Sequence, residues 1–199
     1  FSFYATKNIT CGEGGAVTTN DRELNEKIKV LRLHGLSRDA HNRYHSETFK
    51  QYDMEYPGYK YNMFDIQAAL LIHQMKRIDN ALKRREEIWK IYDDAFLPYL
   101  QTPSICENSR HARHLYTIWV DKNKRNSIID QLFKKEISVS VHFLPIPYLS
   151  YYKNRFGFAQ GQFPVSEDIG AKTITLPFYP DLTDSEINYV IENVLALVK

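Results

Sequence analysis

Between residues 64 and 97 the chain contains neither glycine nor proline, and Ala68, Leu71, Ile72, Met75, Ile78, Leu82, Trp89, Tyr92 and Phe96 recur at spacings of three and four. That pattern predicts one long helix or two stacked ones, ended by Pro98. Its second half carries Lys83-Arg84-Arg85-Glu86-Glu87, which reads as a solvated face of mixed-sign pairs rather than a nucleic-acid contact.

The flanks differ from each other. Residues 1–20 are rich in Gly, Thr and Asn, with Gly12, Gly14 and Gly15 ahead of Ala16-Val17-Thr18-Thr19; this reads as loop, tight glycine turn and short strand. Asn20 and Asp21 offer caps to a helix over 21–33, whose Leu24, Ile28, Leu31 and Leu33 stop at Gly35. Residues 36–60, with His41, His45 and several tyrosines before Tyr56-Pro57-Gly58-Tyr59, have no clear period and read as a long surface loop. Beyond the long helix and a polar linker near 101–113 the pattern turns to α+β. A strand is expected over 115–120, a helix over 124–135, a second strand with alternating faces over 137–143, and a Pro- and aromatic-rich loop over 144–163. A short helix, a strand over 173–176 and a closing helix over 183–198 capped by Thr183 complete it.

Composition excludes several classes. With 199 residues, 43% hydrophobic and 14% aromatic, the chain can bury a core, so intrinsic disorder is not expected. Lys plus Arg exceed Asp plus Glu by 26 to 24, unlike a protein that holds nucleic acid by neutralising phosphates. No apolar stretch approaches the roughly 20 residues of a membrane span, and the opening residues lack a signal peptide's basic and apolar regions. The chain reads as soluble. Cys11 and Cys106 make no disulfide framework and no C-x-x-C pair, which fits a reducing cytoplasm. The sequence opens at Phe1, without Met, and so reads as a fragment.

Few residues suggest chemistry on their own. Lys7, among Ser2, Thr6, Asn8 and Thr10, could form a Schiff base if its surroundings lowered its pKa; by sequence physics alone it reads as an ordinary loop lysine. His142 stands just before a Pro-containing loop, where a strand end presents a side chain to a cleft or buries a structural histidine. His111 and His114 lack a helix and a completing Cys or carboxylate, so no metal site is expected. Gly12-Glu13-Gly14-Gly15 is followed by a strand pattern rather than a helix, so it is a turn and not a dinucleotide fingerprint. No serine stands in a G-x-S-x-G elbow.

Taken together, Ser2-Phe3-Tyr4-Ala5-Thr6-Lys7-Asn8-Ile9-Thr10 and Gly12-Glu13-Gly14-Gly15 resemble the cofactor-lysine segment of the DegT/DnrJ/EryC1/StrS sugar aminotransferases. The resemblance continues through Leu33-His34-Gly35, Pro57-Gly58-Tyr59-Lys60-Tyr61-Asn62-Met63-Phe64-Asp65-Ile66-Gln67-Ala68-Ala69, Arg84-Arg85, Val141-His142-Phe143 and Leu176-Pro177. The G-Y-K-Y-N wording is most similar to the branch making UDP-linked 4-amino-4-deoxy-L-arabinose.

This resemblance implies an α/β fold: the C-terminal part of a pyridoxal-phosphate (PLP) enzyme of type I fold. Residues 1–35 would end the large PLP-binding domain, 36–99 would form an interface loop and connecting helix, and 100–199 a small α+β domain. It also implies roles. Lys7 would hold PLP, be displaced by the donor amine and then shuttle the proton between donor and cofactor carbons. Ser2 would donate to the cofactor phosphate, and Lys60 or Asn62 would reach a neighbouring subunit's phosphate. Tyr4 and His142 would line the sugar-nucleotide side of the cleft; a second histidine of similar enzymes is Pro147 here. The substrates implied are a nucleotide-linked keto-sugar and an amino-acid donor, glutamate by resemblance, in a cytoplasmic homodimer serving cell-surface polysaccharide (lipopolysaccharide) or related glycan synthesis, with no nucleic acid and no membrane insertion. The family places before the lysine segment most of the large-domain sheet and the Asp that keeps the pyridine protonated, so these 199 residues alone are expected to be inactive. Two alternatives stand beside transamination: a PLP- or PMP-dependent sugar dehydratase, which usually has His where Lys7 stands, and a non-catalytic dimerisation module.

Overall fold

The computed structural model describes residues 1–36 and 52–199; His41 and His45 of the expected loop lie outside them. The described chain forms two compact units, Phe1–Ile78 and Asp79–Lys199. Compactness thus groups the residues differently from a division into 1–35, 36–99 and 100–199, with the break inside the long helix.

In the first unit, α1 (Arg22–Leu31) starts at Asp21, whose carboxylate accepts the Leu24 N–H at 3.0 Å and so satisfies one of the orphan donors of the first turn. The run at 16–19 is not a strand: among the described residues this part of the chain makes one bridge, Ser2 to Gly15, just before it. Helix α2 (Asp65–Phe96) is one continuous helix of 32 residues, about 48 Å long at 1.5 Å per residue. Its apolar stripe is buried only where it enters the second unit, at Ile88, Trp89, Tyr92 and Phe96. Ile72 and Met75, part of the apolar recurrence that predicts the helix, are exposed, and Ile66 is 81% exposed; no described residue of the first unit covers that face.

The second unit is built around those buried aromatics. Strands β1 (Tyr116–Trp119) and β2 (Thr173–Leu176) pair antiparallel, Tyr116 with Leu176 and Trp119 with Thr173. On them pack α3 (Arg125–Lys134) through Ile128 and Leu132, and α6 (Asp184–Val198) through Ile187, Val190 and Val194. Each such side chain contributes about 1.5–3 kcal/mol on full burial. Thr183 and Glu186 form a reciprocal capping box at the start of α6, as the threonine suggests. Asp93 ties the core to α2: its carboxylate accepts both Trp89 Nε1–H (2.9 Å) and the Tyr116 hydroxyl (2.8 Å).

Three expectations are corrected here. The alternation at 137–143 is real, with Ile137 and Val139 buried and Ser138 and Ser140 exposed, yet the segment pairs only once, Ser140 with Thr175, and is not a strand. The loop at 144–163 holds a 3-10 turn (Ile146–Tyr148) and a helix, α4 (Ser150–Phe156), ended by left-handed Gly157 (φ 68°); α5 (Pro164–Lys172) follows. The third concerns the charged face of α2. Arg85 is buried there and donates to the carbonyls of Arg113 (3.1 Å), His114 (3.4 Å) and Phe178 (3.2 Å). Arg84 donates to the Leu182 carbonyl and Asp184, both at 3.0 Å. Arg84 also pairs with Glu87 at 3.3 Å on the exposed face, a mixed-sign pair as expected, so it is Arg85 that departs from that reading as a buried anchor.

Candidate active site

Lys7 lies in a turn in which its N–H donates to the Tyr4 carbonyl at 2.9 Å, and its side chain is exposed. The loop carrying it is closed at the base by Phe3 N–H to Gly14 O (2.8 Å) and by Cys11 N–H to Phe3 O (3.0 Å). Gly12 takes a left-handed φ of 84°, so the glycine turn is required there. Gly14 is required for a different reason: a Cβ on it would lie 2.5 Å from the buried Cys11 Sγ and 2.7 Å from Met63 Cε. Ser2 and Tyr4 occupy the same loop and are exposed, with the Tyr4 N–H directed at Ser2 Oγ (3.4 Å).

Lys60 and Asn62 come from the segment that runs beside the end of α1. Tyr59 N–H donates to Leu31 O (2.7 Å), His34 N–H to Tyr59 O (2.9 Å) and Tyr61 N–H to Arg32 O (2.8 Å), with Lys60 bridged to Leu33. Tyr59 and Tyr61 stack, centroids 4.8 Å apart, and Lys60 between them is exposed. Asn62 is half-buried and its Oδ1 is shut away from water with no hydrogen-bond partner among the described residues. Half a turn of that amide would present an N–H instead, the donor a phosphate oxygen accepts. Met63, the next residue, reaches the glycine turn, so this segment and the Lys7 loop meet.

His142 belongs to the second unit. Its Nδ1 is hydrogen-bonded to Thr175 Oγ1 at 2.9 Å, and its ring meets Phe143 edge-on at 4.7 Å. Two cavities of that unit, about 580 Å³ beside Trp119, Asp121, Lys124 and Lys172 and about 470 Å³ beside Glu136, Tyr179 and Tyr189, contain none of the six expected residues. His111 Nδ1 accepts the Arg113 N–H at 3.0 Å, and burial, followed by the Arg113 charge, lowers its pKa. Among the described residues no group of three or more His, Cys, Asp or Glu could hold a metal ion, and no helix is long and apolar enough to cross a membrane.

What the sequence did not disclose is how the Lys7 loop is held. Gln74 Oε1 accepts the Thr10 N–H at 2.9 Å while its Nε2 donates to the Thr10 carbonyl at 2.7 Å, and Gln67 Nε2 donates to the Glu13 carbonyl at 3.0 Å. The two glutamines are seven residues apart on α2, hence on one face, and that spacing was the available signal. The donor set suits PLP: a primary amine (Lys7) would meet its aldehyde and a hydroxyl (Ser2) its phosphate, while an ammonium (Lys60) or an amide (Asn62) would serve the phosphate of a neighbouring subunit.

Known proteins extend this picture. The chain is 48% identical over 206 residues to the spore coat polysaccharide biosynthesis protein SpsC of Bacillus subtilis, matching 100% of this chain and 53% of SpsC. It is also 48% identical over 204 residues to the uncharacterized protein MJ1066 of Methanocaldococcus jannaschii, with the same shares covered. The chain spans about half the length of the curated relatives it matches. Among solved structures, the putative sugar aminotransferase Spr1654 of Streptococcus pneumoniae in its PMP form superposes with a TM-score of 0.88 at 33% identity, over 100% of this chain and 52% of that one. Helicobacter pylori PseC, an aminotransferase involved in the biosynthesis of pseudoaminic acid, gives 0.86 at 30% identity, over 100% and 52%. The fold described above is therefore about half of a sugar aminotransferase fold. Spr1654 is known in PLP and PMP forms, and the aminotransferases of this group are PLP-dependent. The model of the DegT/DnrJ/EryC1/StrS aminotransferase family matches residues 1–195, and the chain belongs to that family.

Proposed function

We infer that this chain carries the lysine half of a sugar aminotransferase that converts a nucleotide-linked keto-sugar to an amino-sugar, with glutamate as donor, for polysaccharide synthesis. The observation that carries the reading is Lys7: an exposed amine on a loop closed at Phe3 and Gly14, inside the stretch matched by the family. Bound there, PLP supplies the electron sink for breaking the bond at the donor carbon. With PLP bound, Lys7 would be the amine that holds its aldehyde, and once displaced by the donor its Nζ would be the group placed to take and return a proton, so one amine would serve both half-reactions. Ser2 Oγ–H would hold the phosphate in its own subunit, the Lys60 ammonium or the Asn62 amide would reach the phosphate of the neighbouring subunit, and Tyr4 and His142 would orient the sugar nucleotide. A lysine rather than a histidine at position 7 favours transamination over dehydration.

A cytoplasmic homodimer is the assembly we assign. Its support is the apolar face of α2 around Ile66, Leu70 and Ile72, which the described residues leave exposed and which a second copy would cover. The division into 1–35, 36–99 and 100–199 is kept as the proposed correspondence to the whole enzyme's domains. The test is borohydride reduction of the native protein with PLP, followed by peptide mapping and an amino-sugar assay. An adduct on Lys7 with turnover is expected. An unmodified Lys7 would overturn the reading and favour the non-catalytic alternative.

A further inference from the structure

Thr10 lies three residues from Lys7, and each of its hydrogen-bonding groups is engaged. Its N–H and C=O face the Gln74 carboxamide at 2.9 and 2.7 Å, and its hydroxyl donates to Phe3 O and accepts from Gly12 N–H, both at 3.0 Å. Gln74 is saturated in the same way, because Nε2 also donates to Leu70 O at 2.8 Å within α2. Two carbonyls on Nε2 and one N–H on Oε1 fix which end of the amide points where; the flipped amide would set oxygen against two oxygens and N–H against N–H. A loop peptide clamped on both sides by a helix side chain cannot slide or rotate without breaking two bonds together.

We propose that Gln74 is a positioning residue for Lys7, holding the Thr10 end of the lysine loop to α2 so that the amine is aimed at the reacting carbons. This rests on the reading of Lys7 as the cofactor lysine. Misplacement of a reacting group by about 1 Å can cost up to about a hundredfold in rate, so the clamp acts on kcat more than on donor binding.

The clamp is tested in the native, full-length protein with Gln74→Met, which keeps side-chain length without the amide, and Gln74→Glu. The first should lower kcat roughly tenfold with donor KM little changed, and alter the rate at which an acylating reagent labels Lys7 in the cofactor-free protein. The second should be worse at neutral pH, where a carboxylate faces the Thr10 and Leu70 carbonyls, and should recover as falling pH protonates it, since the neutral acid again both donates and accepts. Relief of a general destabilisation would follow the same protonation, so the readouts that separate the two are the fall in kcat at unchanged donor KM and the altered labelling of Lys7 in folded protein. Wild-type kcat and wild-type Lys7 labelling in both variants would overturn the assignment. So would a Thr10 N–H that exchanges with solvent without protection in the unaltered protein, a measurement that stands even if a variant fails to fold. Absence of a borohydride adduct on Lys7 in the unaltered protein would instead remove the aminotransferase reading itself.

Discussion

Gly35 and Gly58 cross backbone to backbone: a Cβ on Gly58 would stand 2.0 Å from Gly35 N, and one on Gly35 would stand 1.8 Å from Tyr56 O. Gly35 also holds a left-handed φ of 68°. Gly58→Ala is therefore expected to cost about 2 kcal/mol or more, by overpacking against backbone that cannot yield as a flexible side chain can. Urea unfolding of the native protein, with a lower midpoint at unchanged slope, checks this; an unchanged midpoint would show that the crossing relaxes freely.

Arg85 is the buried tie between α2 and three carbonyls, with its guanidinium 5.3 Å from the Phe178 ring centre. Burial lowers its pKa from the usual arginine value. Arg85→Met should destabilise by about 3 kcal/mol, because the carbonyls of Arg113, His114 and Phe178 lose their donor in a dry site, and this outweighs the relief of burying no charge. Arg85→Lys should recover only part, since an ammonium lacks the planar fork. Thermal unfolding of the three proteins ranks them.

Glu167 gathers the segment from Tyr148 to Phe163. It accepts the Tyr148 hydroxyl at 2.6 Å and the N–H groups of Gly161 and Phe163 at 2.9–3.0 Å. The Tyr148 bond first, then the Phe163 amide, lowers the Glu167 pKa, and the same carboxylate raises that of Tyr148. A depressed carboxyl pKa stabilises above the unfolded value near 4.5 and is lost as pH falls through the folded one. The raised phenol stabilises below 10.0 and is lost as pH rises through its folded value. The segment should thus be most ordered between these limits, and Tyr148→Phe should flatten both edges. Amide exchange of Gly161 and Phe163 across pH is the measurement.

Of the two candidates for the neighbouring subunit's cofactor phosphate, the Lys60 side chain is exposed and Asn62 is half-buried, so Lys60 is the one we propose. Lys60→Met should then weaken PLP retention at least tenfold, as expected for losing a charge-assisted bond of about 1.5–3 kcal/mol. Asn62→Ala should lower stability with less effect on retention. Cofactor release followed by dialysis decides, and the opposite pattern would transfer the phosphate to Asn62.

Features set by neighbouring residues are legible in the sequence. The helical character of α2, though not whether it is one helix or two, the cap at Thr183 and strand β2 follow from local periodicity and capping chemistry. Features set by distant pairing are not. Ser140 alternates like a strand residue but finds one partner, Thr175, and of the β-prone Ala16 to Thr19 only Ala16 meets an extended neighbour, exchanging hydrogen bonds with Phe1 at 3.0 and 2.6 Å. Helix α4 is masked by aromatics and by Pro145 and Pro147 just before it. In the site, Lys7 is legible only through resemblance, because a turn lysine looks like any other. Gln74 stays hidden because its partner, Thr10, is 64 residues away.

The proximity of Gly14 to Cys11 makes the glycine turn and the thiol joint tenants of a single volume. Enlarging position 14 by one methyl demands a smaller residue at 11 and a retreat of Met63, while shrinking Cys11 alone leaves a gap beneath the lysine loop. Substitutions at these two positions should therefore be tolerated as a trade and not one at a time. Cys11→Ala with Gly14→Ala is the pair in which each site would compensate for the other.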